Sequence, residues 1–282
     1  WLYLAVSALG LLFVGVIYAW SILKVPLLES FPWENSQLAL SYTLTMCCFC
    51  LGSLLAGLLT KKVRTRTLLL AAAVLIPAGY VLNARLTGAS ILAHYLAYDV
   101  LVGGGIGIAY NTLLSVGNAW FPDKKGTSSG ILMMSFGMST MVLGKLAARL
   151  FDHPAFGWRK TYVGLGLAIA VVLVLCALVL RRPDSSVLLP APKKKQKKDA
   201  DSFETRDYTT AETIRRPTFW IFYAYGTFGA TVGSVVISFA RELSIDLGAS
   251  VAMATTLVGV LSVCNGLGRI LCGLGFDAIG RR

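Results

Sequence analysis

The sequence predicts an all-α polytopic membrane protein. Hydrophobic residues fill 56% of its 282 positions and mean hydropathy is +0.68, more apolar than a water-soluble domain of this length. The charged residues, 14% of the chain, are clumped, which leaves eight windows of about 20 residues nearly free of charge. The net charge of +12 arises from basic clusters between those windows. That is the pattern of loops on one side of a bilayer rather than of a nucleic-acid surface.

The windows are 1–23, 37–59, 67–84, 91–117, 127–151, 159–180, 217–240 and 252–276. The first has full span length and neither a basic leader nor a cleavage site, so it reads as a membrane helix and not a signal peptide. It opens at Trp1 inside the helix, as expected of a chain trimmed at that end. The gaps are short except for the hydrophilic stretch 181–216. The expected organisation is a six-helix bundle over 1–180, a linker over 181–216, and the first two helices of a second bundle over 217–282.

Of the 26 Lys and Arg residues, eighteen fall after the second, fourth, sixth and eighth windows. Six, including Lys24, Arg159 and Arg241, fall in the opposite loops or at the window ends beside them. Lys145 and Arg269 lie within windows. The bias places the even loops, the N-terminus and the 181–216 linker in the cytoplasm of a multi-pass protein of the cell membrane. The linker's PAPKKKQKKDADSFETRD reads either as a solvated, disordered tether or as a basic cluster for lipid or a partner.

The six cysteines, Cys47, Cys48, Cys50, Cys176, Cys264 and Cys272, lie in apolar segments without metal-site spacing and read as small packing residues. No nucleophile–base pair, metal constellation or phosphate loop stands out. The expectation is a non-enzyme without cofactor, metal or nucleic-acid partner, whose surroundings are the lipid bilayer. Gly103 and Gly107 in the fourth window, and Gly52 and Ala56 in the second, are spaced four apart, as at closely packed membrane helices.

An internal repeat follows from two loops. GLLTKKVRTR, residues 57–66, and GLGFDAIGRR, residues 273–282, are related by an offset that also carries window one onto window seven. Parallel six-helix repeats are one transporter plan. The pattern G-x-x-x-D-x-x-G-[RK]-[RK], here Gly273, Asp277, Gly280 and Arg281, resembles the loop signature of the major facilitator superfamily. GVIYAWS (15–21), GGIGIAYNT (104–112), WFPDKKG (120–126), RRPTFW (215–220) and NGLGR (265–269) resemble the oxalate/formate antiporter family, which is related to monocarboxylate transporters. The resemblance implies a major facilitator fold, truncated here to about eight of twelve helices, and a gating role for the loop residues. The first-half loop departs from the signature, with Lys61 in place of Asp and Arg64 in place of Gly; the second has Ala278 at a usually basic position.

Arg269 poses the chemical question. It lies eight residues before Asp277, about 12 Å into the eighth helix. A charge that deep costs at least about 2.5–3.5 kcal/mol and must face a cavity or a partner. Ser262, Asn265, Gly266, Arg269 and Gly273 share one polar or small helical face. A guanidinium suits a carboxylate, either of a substrate or of a buried acid such as Asp99 or the boundary Asp277. The resemblance implies that Arg269 binds a substrate carboxylate, with a second cation, a helix-eleven lysine, beyond residue 282.

Lys145 reads either as a second substrate or gate cation or as a side chain reaching the interface. Tyr18, Trp20, Tyr110 and Phe136 are candidate pocket rings, each equally readable as packing. Ile17 and Phe136 stand where the antiporter family has polar or hydroxylated residues, which tilts the expected substrate toward a monocarboxylate with an apolar part. Asp99 and His94 are candidate proton carriers; Asp99 reads equally as a lining residue or a partner of Lys145, and His94 is expected at the interface. The expected function is alternating-access exchange of small carboxylates such as formate, oxalate, pyruvate or lactate. Proton symport, a carboxylate sensor signalling through 181–216, and a drug or cation exporter are the rivals.

Overall fold

The computed structural model describes residues 1–60, 62–88, 90–183 and 208–279, and among these it is helical without strands. Among the described residues eight helices are long and apolar enough to cross a membrane: α1 Leu2–Leu23, α2 Asn35–Leu59, α3 Thr65–Ala84, α4 Ile91–Ala119, α5 Lys125–Phe151, α6 Gly157–Val179, α7 Pro217–Asp246 and α8 Val251–Ala278. Most of the 181–216 linker, together with Lys61, Gly280 and Arg281, lies outside the described residues.

The ends agree with the hydropathy windows to within two residues, save one. Window seven closes at 240 because Arg241 and Glu242 follow, yet α7 continues to Asp246. The extra turns carry Glu242 to Lys24, the residue that follows α1. At the start of α2, Glu34 and Gln37 form a capping box, in which the Glu34 N–H donates to Gln37 Oε1 at 3.0 Å.

Lipid tails are as apolar as the helices, so close van der Waals packing must hold them together. Small residues provide it. A methyl group on Gly103 of α4 would stand 2.7 Å from the Thr45 carbonyl of α2, and Gly52 and Gly107 abut backbone of the partner helix in the same seam. The sequence reading of these glycines as helix-packing positions agrees with that geometry. Gly166 of α6 packs on Tyr80 of α3, and Gly15 of α1 lies against the Phe136 backbone of α5. Tyr162 of α6 is fully buried and donates to the Leu23 carbonyl at 2.8 Å, fastening the end of α1.

Three spans leave regular α-geometry near the centre. α1 tightens to a 3₁₀ stretch over Gly15–Ala19, while α4 and α5 widen to π-helical stretches over Tyr95–Gly103 and Thr140–Gly144. Such departures re-aim side chains and recur at functional sites. Tyr18 and Asp99 sit on two of them.

Among the cysteines only Cys176 is buried, against Gly10 and the Val6 carbonyl. Cys47, Cys50, Cys264 and Cys272 are exposed and Cys48 is half-buried, so the packing expectation holds for Cys176 and fails for the exposed four.

Candidate functional site

The site is built on the antiparallel seam between α5 and α8. Gly126 meets Gly273, Gly130 meets the Arg269 backbone, Gly137 meets Ser262 and Gly266, and Met141 meets Gly259. The Ser262 hydroxyl donates to the Gly137 carbonyl at 2.6 Å. Glycine at these positions lets the helix backbones touch. A methyl group on Gly130 would stand 2.9 Å from the Arg269 carbonyl.

Arg269 projects from this seam. Its Nε donates to Asn265 Oδ1 at 3.0 Å and its Nη1 to the Met133 carbonyl at 3.2 Å. Its guanidinium carbon lies 5.9 Å from the centroid of the Tyr18 ring. Among the described residues no acidic side chain pairs with it. Asp99 accepts from Ser41 and Thr45 instead, and Asp277 from the start of α5. Arg269 and Asn265 line a cavity of about 440 Å³ with Ser129, Met133, Cys272 and Phe276. Two neutral acceptors thus orient the guanidinium and leave Nη2 free for an anion.

Aromatic rings back the site. Phe136, 1% exposed, is met edge-on by Tyr18 at 5.1 Å and by Tyr110 at 4.8 Å, and Phe49 completes the cluster at 5.3 Å from Tyr110. Beside Tyr18 a void of about 10 Å³ is lined by Thr140, Ile237, Val258, Leu261, Ser262 and Asn265. That is room for about one water. Arg269, Asn265, Tyr18, Tyr110 and Phe136 therefore come together. Phe49 was not singled out from sequence; it lies on α2 one turn before the small-residue positions that bring α2 against α4.

Trp20 and Lys145 do not join them. Trp20 is buried in the α1–α2–α4 core, donates to the Leu38 carbonyl at 3.1 Å, and packs on Tyr98 and His94. Lys145 lies half-buried one side of the seam, its Cε 3.2 Å from where a Gly259 methyl would be, and pairs with no acid among the described residues.

Asp99 is fully buried elsewhere. Its Oδ1 accepts from Ser41 and Thr45, each at 2.7 Å, and Oδ2 is buried without a hydrogen-bond partner. Of the alternatives for Asp99, pairing with Lys145 is not formed. His94 is fully buried, not interfacial: Nδ1 lies 2.9 Å from Asn83 Oδ1 and Nε2 lies 3.1 Å from Ser41 Oγ. A run of polar groups shared by α2, α3 and α4 satisfies the ring there, which hydropathy of α4 alone does not reveal.

Two ties flank the site. Asp277 accepts from the backbone N–H of Gly126 at 3.0 Å, the N–H of Thr127 at 2.6 Å and the Thr127 hydroxyl at 2.7 Å. A carboxylate at a helix N-terminus meets free N–H groups and the positive end of the dipole. Gly273, one turn earlier, permits that approach; Gly280 and Arg281 of the same motif lie outside the described residues. At the other end, Lys24 of the α1 terminus forms a 2.7 Å ion pair with Glu242 of α7. The sequence repeat holds a signal for this tie, because its offset carries Lys24 to within two residues of Glu242.

Comparison with known proteins agrees with this architecture. The chain is 28% identical over 282 residues to the uncharacterized MFS-type transporter YhjX of Escherichia coli (strain K12), covering all of this chain and 67% of that protein. It is 26% identical over 286 residues to the oxalate:formate antiporter of Oxalobacter formigenes, covering all of this chain and 64% of the antiporter. The apicoplast pyruvate carrier 1 of Toxoplasma gondii is 26% identical over 241 residues, 66% of this chain and 44% of the carrier. The crystal structure of a D-xylose-proton symporter superposes with a TM-score of 0.63 at 17% identity, over 98% of this chain and 68% of the symporter, and shares the fold. The chain thus spans about two thirds of the length of the first two relatives. The profile described as Major Facilitator Superfamily matches residues 4–282, and with eight spanning helices in that fold the chain belongs to this superfamily of multi-pass membrane transporters.

Proposed function

We propose that the protein moves small organic carboxylates by alternating access, one anion exchanged for another. The single observation that carries this reading is Arg269: a guanidinium on a spanning helix, oriented by neutral oxygens, paired with no acid, and lining a cavity of about 440 Å³. A carboxylate docking on Nη2 supplies the counter-charge that the described residues withhold. The naming of an oxalate:formate antiporter and a pyruvate carrier among the relatives supports that substrate class.

The ring cluster of Tyr18, Tyr110 and Phe136 lies behind the guanidinium, outside the lining of the cavity itself, where Met133 and Phe276 supply apolar surface for an acid with a short apolar part. Residues 1–180 form one rocking unit and 217–282 begin the other, with the even loops and the 181–216 linker cytoplasmic. An empty site leaves a charge in low dielectric, which opposes reorientation until an anion binds. Exchange follows from that asymmetry.

Proton symport is the second reading. It is favoured by the buried, partnerless Oδ2 of Asp99, a place where a carboxylic acid can hold a proton. The test of the main reading is uptake in proteoliposomes. Arg269→Ala is expected to abolish carboxylate uptake and Arg269→Lys to leave a weak remnant; undiminished uptake by Arg269→Ala removes the proposal.

A further inference from the structure

A second cavity, of about 610 Å³, lies away from the α5–α8 seam. It opens between the α2–α3 loop and the end of α6, at the end of the bundle that carries the basic loops. Five cations converge on it from two separate parts of the chain: Lys62, Arg64 and Arg66 on one side, Arg181 and Arg182 on the other. No carboxylate among the described residues lines it. We propose that this cavity binds the phosphate headgroup of an anionic phospholipid.

Several features separate it from ordinary solvated loop charge. Its wall is fixed: Arg182 Nη2 donates to Ser115 Oγ at 2.8 Å, and Trp120 Nε1 donates to the Arg181 carbonyl at 2.8 Å. The N-terminus of α3 opens into it. Arg64, the N-cap, offers no side-chain cap, and Thr67 and Leu68 are the first residues whose N–H groups reach its carbonyl. The N–H groups of Thr65 and Arg66, both wall residues, are therefore available to a phosphate oxygen, and the helix dipole adds to the five side-chain charges. The volume is that of a small-molecule pocket, typically about 300–1,000 Å³.

A soluble phosphate and a lipid headgroup share this chemistry. The apolar surface favours the lipid. Among its wall residues Val63 is half-buried and Leu178 exposed, with the buried Ala177 and Leu180 behind them, so the cavity has an apolar edge beside its cations. From Leu178 an exposed stripe continues along α6 through Leu175, Val174, Val171 and Leu167, one helical face that an acyl chain can follow. A free anion gains nothing from that stripe. Basic pockets beside spanning helices on the positive side are suited to anionic headgroups.

The test reconstitutes the protein in phosphatidylcholine nanodiscs, with or without a fraction of phosphatidylglycerol, and in a third arm adds inorganic phosphate to pure phosphatidylcholine. Lipid retention is read by native mass spectrometry and stability by thermal unfolding. Phosphatidylglycerol is expected to be retained over phosphatidylcholine and to raise Tm. The triple variant Arg64→Gln, Arg181→Gln, Arg182→Gln is expected to lose at least about 10-fold of that preference. The same-side control Arg215→Gln, Arg216→Gln is expected to keep it. Equal retention of the two lipids by the unaltered protein overturns the proposal. So does a preference that survives in the triple variant, or a Tm increase that inorganic phosphate reproduces in full.

Discussion

Lys24 and Glu242 join the end of α1 to the end of α7 through a 2.7 Å ion pair, although 217 residues of chain separate them. Lys24 is 1% exposed; its ammonium also meets Asn35 Oδ1 at 3.3 Å and lies 5.0 Å from the centroid of the Phe239 ring. The tie stands at the opposite end of the bundle from Asp277, and Arg269 lies between the two. In the proposed alternating-access cycle each end must release in turn, so on that reading each tie biases the side from which the site is reached.

Glu242→Gln removes one charge and leaves a buried ammonium with neutral acceptors only. Breaking a fully buried pair costs about 3–5 kcal/mol; with Glu242 a quarter exposed, about 2 kcal/mol is expected here. Lys24→Met combined with Glu242→Gln should restore most of that loss, because no orphan charge remains. Thermal unfolding of the single and double variants checks the sign and the coupling.

The polar knot around Asp99 makes a separate prediction. Asp99→Asn keeps an oxygen to accept from Ser41 and Thr45, so the fold is expected to survive. Asp99→Ala removes the acceptor that Ser41 and Thr45 share; Thr45 keeps the Ser41 carbonyl at 2.9 Å and Ser41 keeps His94 Nε2 at 3.1 Å, so a loss of about 1–3 kcal/mol in all is expected. Exchange by Asp99→Asn is expected within about two-fold of the unaltered protein, since Asp99 does not line the Arg269 cavity. A large loss accompanied by a flattened pH profile would instead support symport.

Most of the fold was legible because bilayer thickness imposes its own ruler on hydropathy, which is why the ends of α1 through α6 agree with the windows so closely. The same ruler misread α7, where Arg241 and Glu242 mark a change of solvent and not the end of the helix. Arg269 was legible because an intramembrane charge demands a reason. The destinations of Trp20 and His94 were not. Both are amphipathic rings that suit an interface as well as a core, and only the tertiary partners Leu38, Asn83 and Ser41 decide. The Lys24–Glu242 pair was hidden for a similar reason: each residue alone looks like a loop charge.

The seam between α5 and α8 predicts a contrast between two glycines on the same helix. A methyl group at Gly273 would meet the backbone of Gly126, which has nowhere to move without separating the helices. At Gly266 it would meet the flexible side chain of Met134, with Cγ 2.9 Å away. Gly273→Ala is therefore expected to cost about 1–3 kcal/mol and to slow transport sharply, and Gly266→Ala under about 1.5 kcal/mol. Unfolding temperatures together with initial uptake rates compare the pair.

Asp277→Asn tests the second tie. The three donors on Asp277 come from Gly126 and Thr127, all of them N–H or O–H groups, so an amide NH₂ turned toward them meets donor with donor. Lost charge at a helix N-terminus contributes about 0.3–1 kcal/mol, and a lost cap bond brings the total to about 1–2 kcal/mol. The released energy shifts the population toward the form open at the Asp277 end, by about 5- to 30-fold. Half-saturating substrate concentrations measured from the two sides of oriented proteoliposomes should move in opposite directions. Glu242→Gln should move them the other way, and combining it with Asp277→Asn should return the sidedness toward its starting value. Shifts of the same sign in both single variants would show that the two ties do not hold alternate ends of one site.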